Sequence, residues 1–456
     1  MDTETRVFVT SLRTFLEEVV HTQRAEVADG APSIADVVGT HLGTEARHVA
    51  IVREEIPEHQ YVDLDIALAA LAEQGGGETL VGIGGGDQRA HHGFADFLEN
   101  RYGTFATATI DRLNLPTGPD STRRAVSFGV RMFRYRDQPV AILQRSAQPH
   151  TGHPGGFEVA CGVEDLVPDL IEDVRRLMVE LSVLRGQVLS FSGSPYEHHS
   201  NAGITFVTRP TVTAEDVVLP SGSLERIVRH VVGVGVQREQ LVAAGQHLKR
   251  GVLLYGPPGT GKTLTVRHLV ARTPGTTVVL LSGQALGYVT TAAHLARAMQ
   301  PALIVLEDCD LVAEDRGQHP GERPLLFQLL DAMDGLDGDA DVAFLLTTNR
   351  ADLLERALAQ RPGRVDLAVE VPLPDEEARR ALFRLYARGL PLSAETLDLA
   401  AARTAGVTAS FARELLRRAV LLAATHGHEV SDADLDTALE ELLSDAETLT
   451  RSLLGS

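Results

Sequence analysis

The run VLLYGPPGTGKT, residues 252–263, decides the fold of this 456-residue chain. Its last eight residues fit the pattern G-x-x-x-x-G-K-[ST], in which glycines let successive backbone N–H groups curl around phosphate oxygens. The pattern follows the apolar stretch 252–255 and precedes a helical pattern that begins near Thr263, which is the strand–loop–helix context it requires. We therefore expect a phosphate-binding loop, with Lys262 at the β/γ-phosphate oxygens and the Thr263 hydroxyl on Mg²⁺.

Short apolar runs rich in β-branched residues and leucine recur around this loop, separated by helical stretches. They cover residues 252–255, 277–281, 303–306 and 342–346. Such an alternation is typical of a parallel sheet that is buried on both faces. After residues 372–374, Pro-Leu-Pro, only helical patterns follow, over residues 375–388, 394–402, 408–425 and 431–454, with Ser431 as the N-cap of the last. These patterns predict an α/β fold of the P-loop NTPase type, with a parallel sheet and a C-terminal helical lid.

The residues before this sheet predict a separate N-terminal domain of mixed α/β type. Helical patterns cover residues 5–27 and 164–184, and strand patterns cover residues 125–135, 140–144, 157–161, 186–191 and 204–208. The glycine-rich stretches 75–77 and 82–86 predict turns, and the second has no lysine that would make it a phosphate loop. We expect three domains: 1–205, an N-terminal substrate or adaptor domain; 206–374, the nucleotide-binding subdomain; and 375–456, the helical lid.

Composition and charge argue against several classes of function. The formal net charge of −20 disfavours a non-specific grip on nucleic acid, since phosphate binding needs a basic surface. No run approaches the roughly 20 apolar residues of a membrane helix, so no membrane span is expected. The first four residues lack the basic and apolar regions of a secretory signal, and Cys161 and Cys309 are the only cysteines. We expect a cytoplasmic protein.

Three further segments carry polar side chains at or after predicted strands. Residues 303–310, LIVLEDCD, place Glu307 beside Asp308; residues 345–349, LLTTN, end in Asn349; and residues 361–364, RPGR, carry Arg361 and Arg364. One carboxylate can serve Mg²⁺ while the other lies beside an attacking water, and a neutral amide can orient that water without competing for the metal. Neighbouring side chains of a strand point in opposite directions, so only one carboxylate of the pair can face the water.

Five segments of the chain together resemble an AAA ATPase module: residues 256–263, 307–310, 328–335, 347–349 and 361–366. The resemblance covers about residues 217–424. It implies ATP and Mg²⁺ as cofactors and a homohexameric ring that binds ATP between subunits. It makes Lys262 and Thr263 the Walker A pair, Glu307 and Asp308 the Walker B pair, and Asn349 sensor 1. In that scheme Asp308 faces the water, and Glu307 and Thr263 hold the metal. Arg361 and Arg364 act on the neighbour's γ-phosphate. The implied nucleotide contacts are Gly256, Pro257, Pro258, Gly259, Thr260, Gly261, Lys262, Thr263 and Leu264.

The sequence departs from the usual AAA pattern at several positions. The Walker B order is Glu then Asp, which, with residues 216–219 (DVVL), resembles the branch of the mitochondrial Rieske-protein translocase. Asp308 is one methylene shorter than the usual glutamate, which predicts slow hydrolysis. Tyr288 is a candidate pore-loop aromatic, with packing as the favoured alternative. Arg413 is either a second sensor or, as slightly favoured, a solvated charge. The segment 355–360 is one residue longer than usual, so Arg361 and Arg364 both stay candidates for the arginine that contacts phosphate.

The favoured function is therefore an ATPase in a hexameric ring that remodels or translocates a protein client, which the N-terminal domain recognises directly or through an adaptor. The alternative is a nucleotide-gated assembly or signalling module, in which slow hydrolysis resets a ring that ATP binding holds together. Remodelling of nucleic acid is a third class, and the acidic charge disfavours it.

Overall fold

A computed structural model describes residues 31–99, 105–147, 154–192, 203–310, 325–335, 340–350 and 365–454 of the chain. The chain divides into two compact units, the first with Met1–Leu184 and Tyr196–Phe206, the second with Arg185–Pro195 and Val207–Ser456. The helix predicted over residues 5–27, together with Arg361 and Arg364, lies outside the described residues.

The first unit is a mainly antiparallel sheet with helices on both faces. Its helices are α1 (Ile34–Leu42), α2 (Tyr61–Gln74), α3 (Phe94–Glu99) and α4 (Val167–Glu180). Its strands are β1 (Ile51–Glu55), β2 (Thr79–Ile83), β3 (Thr107–Ala108), β4 (Asp111–Pro116), β5 (Thr122–Tyr135), β6 (Gln138–Arg145) and β7 (Gly156–Cys161). The strand order is β1-β7-β6-β5-β2-β3, with β4 paired to β5. The mixed α/β character predicted for this region is confirmed.

Each face of this sheet has its own hydrophobic core, because neighbouring side chains of a strand point to opposite faces. Val140 and Ile142 of β6 pack in one core with residues of α2 and α4. Ala141 and Leu143, which alternate with these two residues along β6, pack in the other core with residues of α1 and α3. The near-continuous apolar run in β6 follows from this burial on two sides.

The loop predicted to begin at Gly82 begins two residues later, so that prediction is wrong for Gly82 and Ile83, which belong to β2. A Cβ at Gly82 would lie 2.1 Å from the carbonyl oxygen of Thr109. Glycine inside this strand therefore permits a close backbone approach rather than a turn. Gly85 and Gly86 have φ angles of 111° and 59° and form the turn that was expected there.

The second unit contains the predicted parallel sheet. Its strands are β8 (Val188–Ser192), β10 (Arg250–Tyr255), β11 (Thr277–Ser282), β12 (Ala302–Glu307), β13 (Val342–Thr348) and β14 (Leu367–Glu370). Strand β9 (Gly203–Val207), which comes between β8 and β10 in the chain, falls in the first unit except for Val207. The order is β14-β10-β13-β12-β11-β8, and all the ladders between these strands are parallel. The four runs predicted as its strands are confirmed, and β14 is a strand that the sequence analysis missed.

Helices cover this sheet and connect its strands. They are α5 (Ser223–Val228), α6 (Val234–Val236), α7 (Arg238–Ala243), α8 (Lys262–Ala271), α9 (Val289–Ala298) and α10 (Leu325–Asp334), with a π-helical turn at Arg229–Gly233. The far end of α8 is capped by Arg209, whose guanidinium donates to the carbonyls of Val270, Thr273, Gly186 and Thr276 at 2.7–3.0 Å. Of these four carbonyls, Val270 lies in the last turn of α8, so Arg209 joins the end of the helix to the segment that follows it and to Gly186.

The helical lid predicted after residue 374 is confirmed. It consists of α11 (Glu376–Tyr386), α12 (Ala394–Arg403), α13 (Ala409–His426) and α14 (Asp432–Leu454) around one apolar core. Thr408 caps α13 by accepting from the Phe411 amide, and α14 begins directly after Ser431. Across the described ranges, no helix combines the length and the low polarity needed to cross a membrane.

Candidate nucleotide site

The predicted phosphate loop joins the buried strand β10 to helix α8, which begins at Lys262. Gly256 has a φ of 147°, and a Cβ there would lie 2.1 Å from the carbonyl oxygen of Val371. Gly261 has a φ of 111° directly before the helix. Both positions need glycine, the first for a close approach and the second for a left-handed backbone. The loop therefore presents its backbone at a helix N-terminus, where amides and the helix dipole favour a phosphate.

Lys262 is 6% exposed, and its ammonium lies within the loop. It donates to the carbonyl oxygens of Gly256 and Pro257 and to Oδ1 of Asn349, each at 2.8 Å. Burial lowers the pKa of this ammonium, while the charges of Asp308 and Asp310 raise it. Three strands of the sheet, β10, β12 and β13, thus bring their carboxyl-end residues to one lysine, which the shared direction of parallel strands makes possible.

Glu307 ends strand β12 close to the Thr263 hydroxyl, which favours the charged form of its carboxyl and so lowers its pKa. Burial raises the pKa of Glu307, the charge of Asp308 raises it further, and the Thr263 hydroxyl and the charge of Arg267 oppose this. Two neighbouring carboxylates whose charges repel, beside a hydroxyl, form the hard oxygen set that Mg²⁺ prefers. The residues present therefore fit a magnesium ion, with Glu307 and Thr263 as the groups that would hold it.

The backbone of Asp308 differs from what strand geometry predicts. Asp308 lies beyond the end of β12 with a φ of 54°, in the left-handed region, which aspartate tolerates better than most residues. Strand alternation therefore does not direct its side chain, and it gives no support here to the prediction that only one carboxylate of the pair faces the water. The amide of Asp308 donates to Oγ1 of Thr347 at 3.0 Å, and its Oδ1 accepts from Nδ2 of Asn349 at 3.4 Å. Contacts with the end of β13, instead, set the position of Asp308.

Asp310 belongs to the same group, although the sequence analysis gave it no role. Its Oδ1 accepts from Oγ1 of Thr348 and from the backbone amide of Asn349, both at 3.2 Å. Between the two aspartates, the Cys309 amide donates to the Thr347 carbonyl at 2.9 Å, and burial raises the pKa of its thiol to about 12. The available signal was the spacing of Asp310, two residues after Asp308 at the end of a buried strand.

The lid contacts the phosphate loop directly. The Ser410 amide, in the first turn of α13, donates to the Gly259 carbonyl at 3.1 Å, and the Ser410 hydroxyl lies 3.4 Å from the same oxygen. A cavity of about 350 Å³ borders Thr260 and Ala409. A second cavity, of about 590 Å³, borders Leu264 and is lined also by Asp216, Tyr386, Arg388, Arg413 and Arg417. These cavities lie where the sheet and the lid meet beside the loop.

The structure brings most of the predicted site residues together. The contacts above involve seven of them: Gly256, Pro257, Lys262, Thr263, Glu307, Asp308 and Asn349. Arg361 and Arg364 lie outside the described residues. Tyr288 is 7% exposed and stacks on Phe191 with ring centroids 5.3 Å apart, which is a packing role. Arg413 is exposed and lines the larger of the two cavities.

Residues 252–373 match the family model described as ATPase family associated with various cellular activities (AAA). These residues are similar to an AAA ATPase domain. It is 34% identical over 263 residues to the ATP-dependent zinc metalloprotease FtsH 3 of Sphaerobacter thermophilus, covering 55% of this chain and 53% of the relative. It is 32% identical over 260 residues to the proteasome-activating nucleotidase of Methanothermobacter thermautotrophicus, covering 53% of this chain and 62% of the relative. The chain thus spans part of each relative's length, and the likeness to the Rieske-protein translocase branch stays a prediction.

Proposed function

We propose that this chain hydrolyses ATP and couples the cycle of binding and hydrolysis to the remodelling or translocation of a protein client. The relatives support this, since their names describe an ATP-dependent metalloprotease and a nucleotidase that activates the proteasome. The proposal does not extend to peptide hydrolysis. The sequence contains no His-Glu-x-x-His run, the arrangement by which a helix holds a catalytic zinc ion.

The observation that carries the proposal is the link from Lys262 to Asn349 and from there to Asp308. Lys262 supplies the positive charge for phosphate oxygens, and the loop amides donate to the same group. Asp308 orients the attacking water and accepts its proton, while Asn349 keeps the carboxylate and the lysine in register through its two amide atoms. Mg²⁺ held by Thr263 and Glu307 would neutralise charge on the phosphate oxygens.

We assign the parts of the chain as follows. Residues 1–205 contact the client or an adaptor, residues 206–374 bind the nucleotide, and residues 375–456 form the lid. The ring is a homohexamer, and Arg361 and Arg364 reach the nucleotide of the neighbouring subunit. The resemblance of residues 361–366 to the AAA pattern supports this last assignment. It also supports the nucleotide contacts from Gly256 to Leu264, of which the loop geometry already favours Gly256, Gly261 and Lys262.

A second candidate function, a nucleotide-gated assembly or signalling module, is favoured by one observation. The carboxylate bonded to Asn349 is an aspartate, which reaches one methylene less far than the glutamate usual at this position. A misplacement of about 1 Å can cost about 10²-fold in rate. Hydrolysis slow enough to act as a timer would suit such a module.

The two candidates are separated by measuring turnover with a defined client. The Asp308→Asn chain, immobilised in ATP, is used to capture proteins, with Lys262→Ala as the bait that cannot hold ATP. Each captured protein is then purified and added to the parent chain. Stimulated ATP turnover, together with a change in the structure or location of that protein, supports the client-remodelling function. ATP-dependent assembly with turnover that no captured protein stimulates supports the second candidate, and stimulation by DNA or RNA contradicts both.

A further inference from the structure

The segments that follow strands β12 and β13 are joined by hydrogen bonds in both directions. Asp308 and Cys309 donate their amides to Oγ1 and to the carbonyl of Thr347. In return, Thr348 and Asn349 donate to a single oxygen, Oδ1 of Asp310. The first pair of bonds fixes the backbone that carries Asp308. The second fixes the backbone that carries Asn349.

We propose that Asp310 is a positioning residue for ATP hydrolysis, whose carboxylate holds the backbone of Asn349 so that the amide side chain stands between Lys262 and Asp308. This inference rests on the proposed ATPase function. Asp310 itself touches neither the phosphate loop nor the position of the nucleotide in any contact described above. It acts through Asn349.

The location of Asn349 explains why it needs such a partner. Strand β13 ends at Thr348, so the amide of Asn349 lies beyond the last residue of the ladder. Its hydrogen bond goes to Asp310 at 3.2 Å instead of to a neighbouring strand. Without that acceptor, nothing in the described contacts of the Asn349 backbone holds the residue in place. The side-chain bonds to Lys262 and Asp308 would then have to position the amide alone.

The two hydrogen bonds that Asp310 accepts can be tested separately from its charge. Both donors reach Oδ1 of Asp310, so an asparagine could accept both bonds through its own Oδ1. The charge of Asp310 has a second effect, because it raises the pKa of Lys262 against the effect of burial. An asparagine would keep the first effect and lose the second. The pair of variants Asp310→Asn and Asp310→Ala therefore tests which property matters.

The test compares these variants in the full chain by steady-state ATP turnover. For Asp310→Ala we expect kcat to fall by about tenfold or more with KM within about threefold of the parent, since a shift well below 1 Å already costs part of the roughly 10²-fold effect. For Asp310→Asn we expect kcat within about threefold of the parent, because the acceptor is retained. Asp398→Ala, which alters an exposed carboxylate of the lid, should leave both constants unchanged.

A second measurement does not depend on turnover. Hydrogen–deuterium exchange of the nucleotide-free chain, followed in a peptide that spans residues 344–350, reports the Asn349 amide. Exchange there should accelerate in Asp310→Ala and stay close to the parent's in Asp310→Asn. If Asp310→Ala does not fold, Thr348→Val removes one of the two donors to Asp310. A fall in kcat of about threefold or more in that variant then supports the inference, on the same positional argument.

The inference is overturned if Asp310→Ala or its substitute keeps the parent's kcat, or if Asp310→Asn loses as much activity as Asp310→Ala. In the second case charge, and not the position of Asn349, would be what Asp310 supplies. A parent chain without ATP turnover would instead contradict the proposed function. The exchange measurement would still decide whether Asp310 holds Asn349.

Discussion

The ammonium of Lys262 lies 2.8 Å from Oδ1 of Asn349, a residue 87 positions further along the chain. Because this ammonium can only donate, the contact assigns the oxygen of the amide to the lysine side. The nitrogen of the same amide then faces Oδ1 of Asp308, at 3.4 Å. One neutral side chain thus spans a cation and an anion. Both neighbours determine its orientation, so a change at either one removes one of the two bonds that orient the amide.

The first prediction concerns the two lysines of the chain, Lys249 and Lys262. Lys262→Ala should abolish measurable ATP binding, because it removes the ammonium at the phosphate loop. Lys249→Ala is the matched control: its ammonium bonds the Met333 carbonyl at 3.0 Å, away from the loop, so ATP affinity should stay at the parent's value. Isothermal titration calorimetry measures both. An ATP affinity of Lys262→Ala equal to that of the parent would contradict the proposed function.

The second prediction separates the two neighbouring carboxylates. Asp308→Asn should bind ATP normally and fail to turn it over, because the amide cannot accept a proton from water. Glu307→Gln should instead raise the Mg²⁺ concentration needed for ATP binding, since it loses a charged ligand beside Thr263. Titration of ATP affinity against Mg²⁺, with turnover measured in parallel, distinguishes them. The roles are reversed if Glu307→Gln is the variant that binds tightly without turnover.

A third prediction addresses Arg361 and Arg364. If they act on a neighbour's nucleotide, each single alanine variant should lose turnover and keep most of its ATP affinity. Mixing Arg364→Ala with Lys262→Ala should then restore part of the activity, because each protein completes an interface that the other lacks. Mass photometry confirms that mixed rings have formed. Mixed rings that stay inactive would show that the arginines do not act across the interface.

The fourth prediction concerns stability. Arg250 donates to Asp341 at 2.8 Å, and these side chains are 8% and 3% exposed. Asp341→Ala should lower the free energy of unfolding by about 3–5 kcal/mol, because it leaves a buried guanidinium without its carboxylate. Asp398→Ala breaks an exposed pair with Arg384 and should cost about 1 kcal/mol at most. Urea unfolding followed by circular dichroism measures the difference, and equal losses would contradict the burial argument.

The fifth prediction is a pH dependence that involves Asp63. Burial raises the pKa of this carboxyl from 3.8 to about 6, although Ser182 and the Val183 amide both donate to it. The folded state therefore binds the proton more tightly than the unfolded chain. The stability that Asp63 contributes is present below about pH 4 and is lost as the pH rises to about 6.

An Asp63→Asn variant cannot ionise, so its stability relative to the parent should increase with pH. Between about pH 4.5 and about pH 7.5 the gain should be about 2 kcal/mol, at about 1.4 kcal/mol for each pKa unit. Unfolding free energies of both proteins at the two pH values measure it. A difference that stays constant with pH would show that Asp63 is not the titrating group.

The parts of the fold that sequence could predict are those in which one local pattern dominates. The strands of the parallel sheet are continuous apolar runs, because they are buried on both faces. Helix α2 was missed because it has no apolar stripe. Its own residues are buried on every side of the helix, and these include the polar residues Asp63 and Asp65. Strand β14 was missed because only one of its four residues, Val369, is buried.

In the site, the residue types were predictable and the backbone was not. The phosphate loop, Glu307, Asp308 and Asn349 follow from their order in the chain. The left-handed backbone of Asp308 and the contribution of Asp310 do not, because both depend on hydrogen bonds to residues about 40 positions away, at the end of β13. Strand alternation is a local rule and stops at the last residue of β12.

Arg209 has a mechanical consequence for helix α8. The helix has ten residues and is therefore about 15 Å long, too short and too well bonded to bend appreciably. One end carries Lys262, and at the other end the Val270 carbonyl accepts from Arg209, which also donates to the carbonyls of Thr273, Gly186 and Thr276. The phosphate loop, helix α8 and the segment that carries Arg209 are thus bonded one after another along the helix. A displacement of the loop along the helix axis is therefore expected to reach Arg209 through the helix.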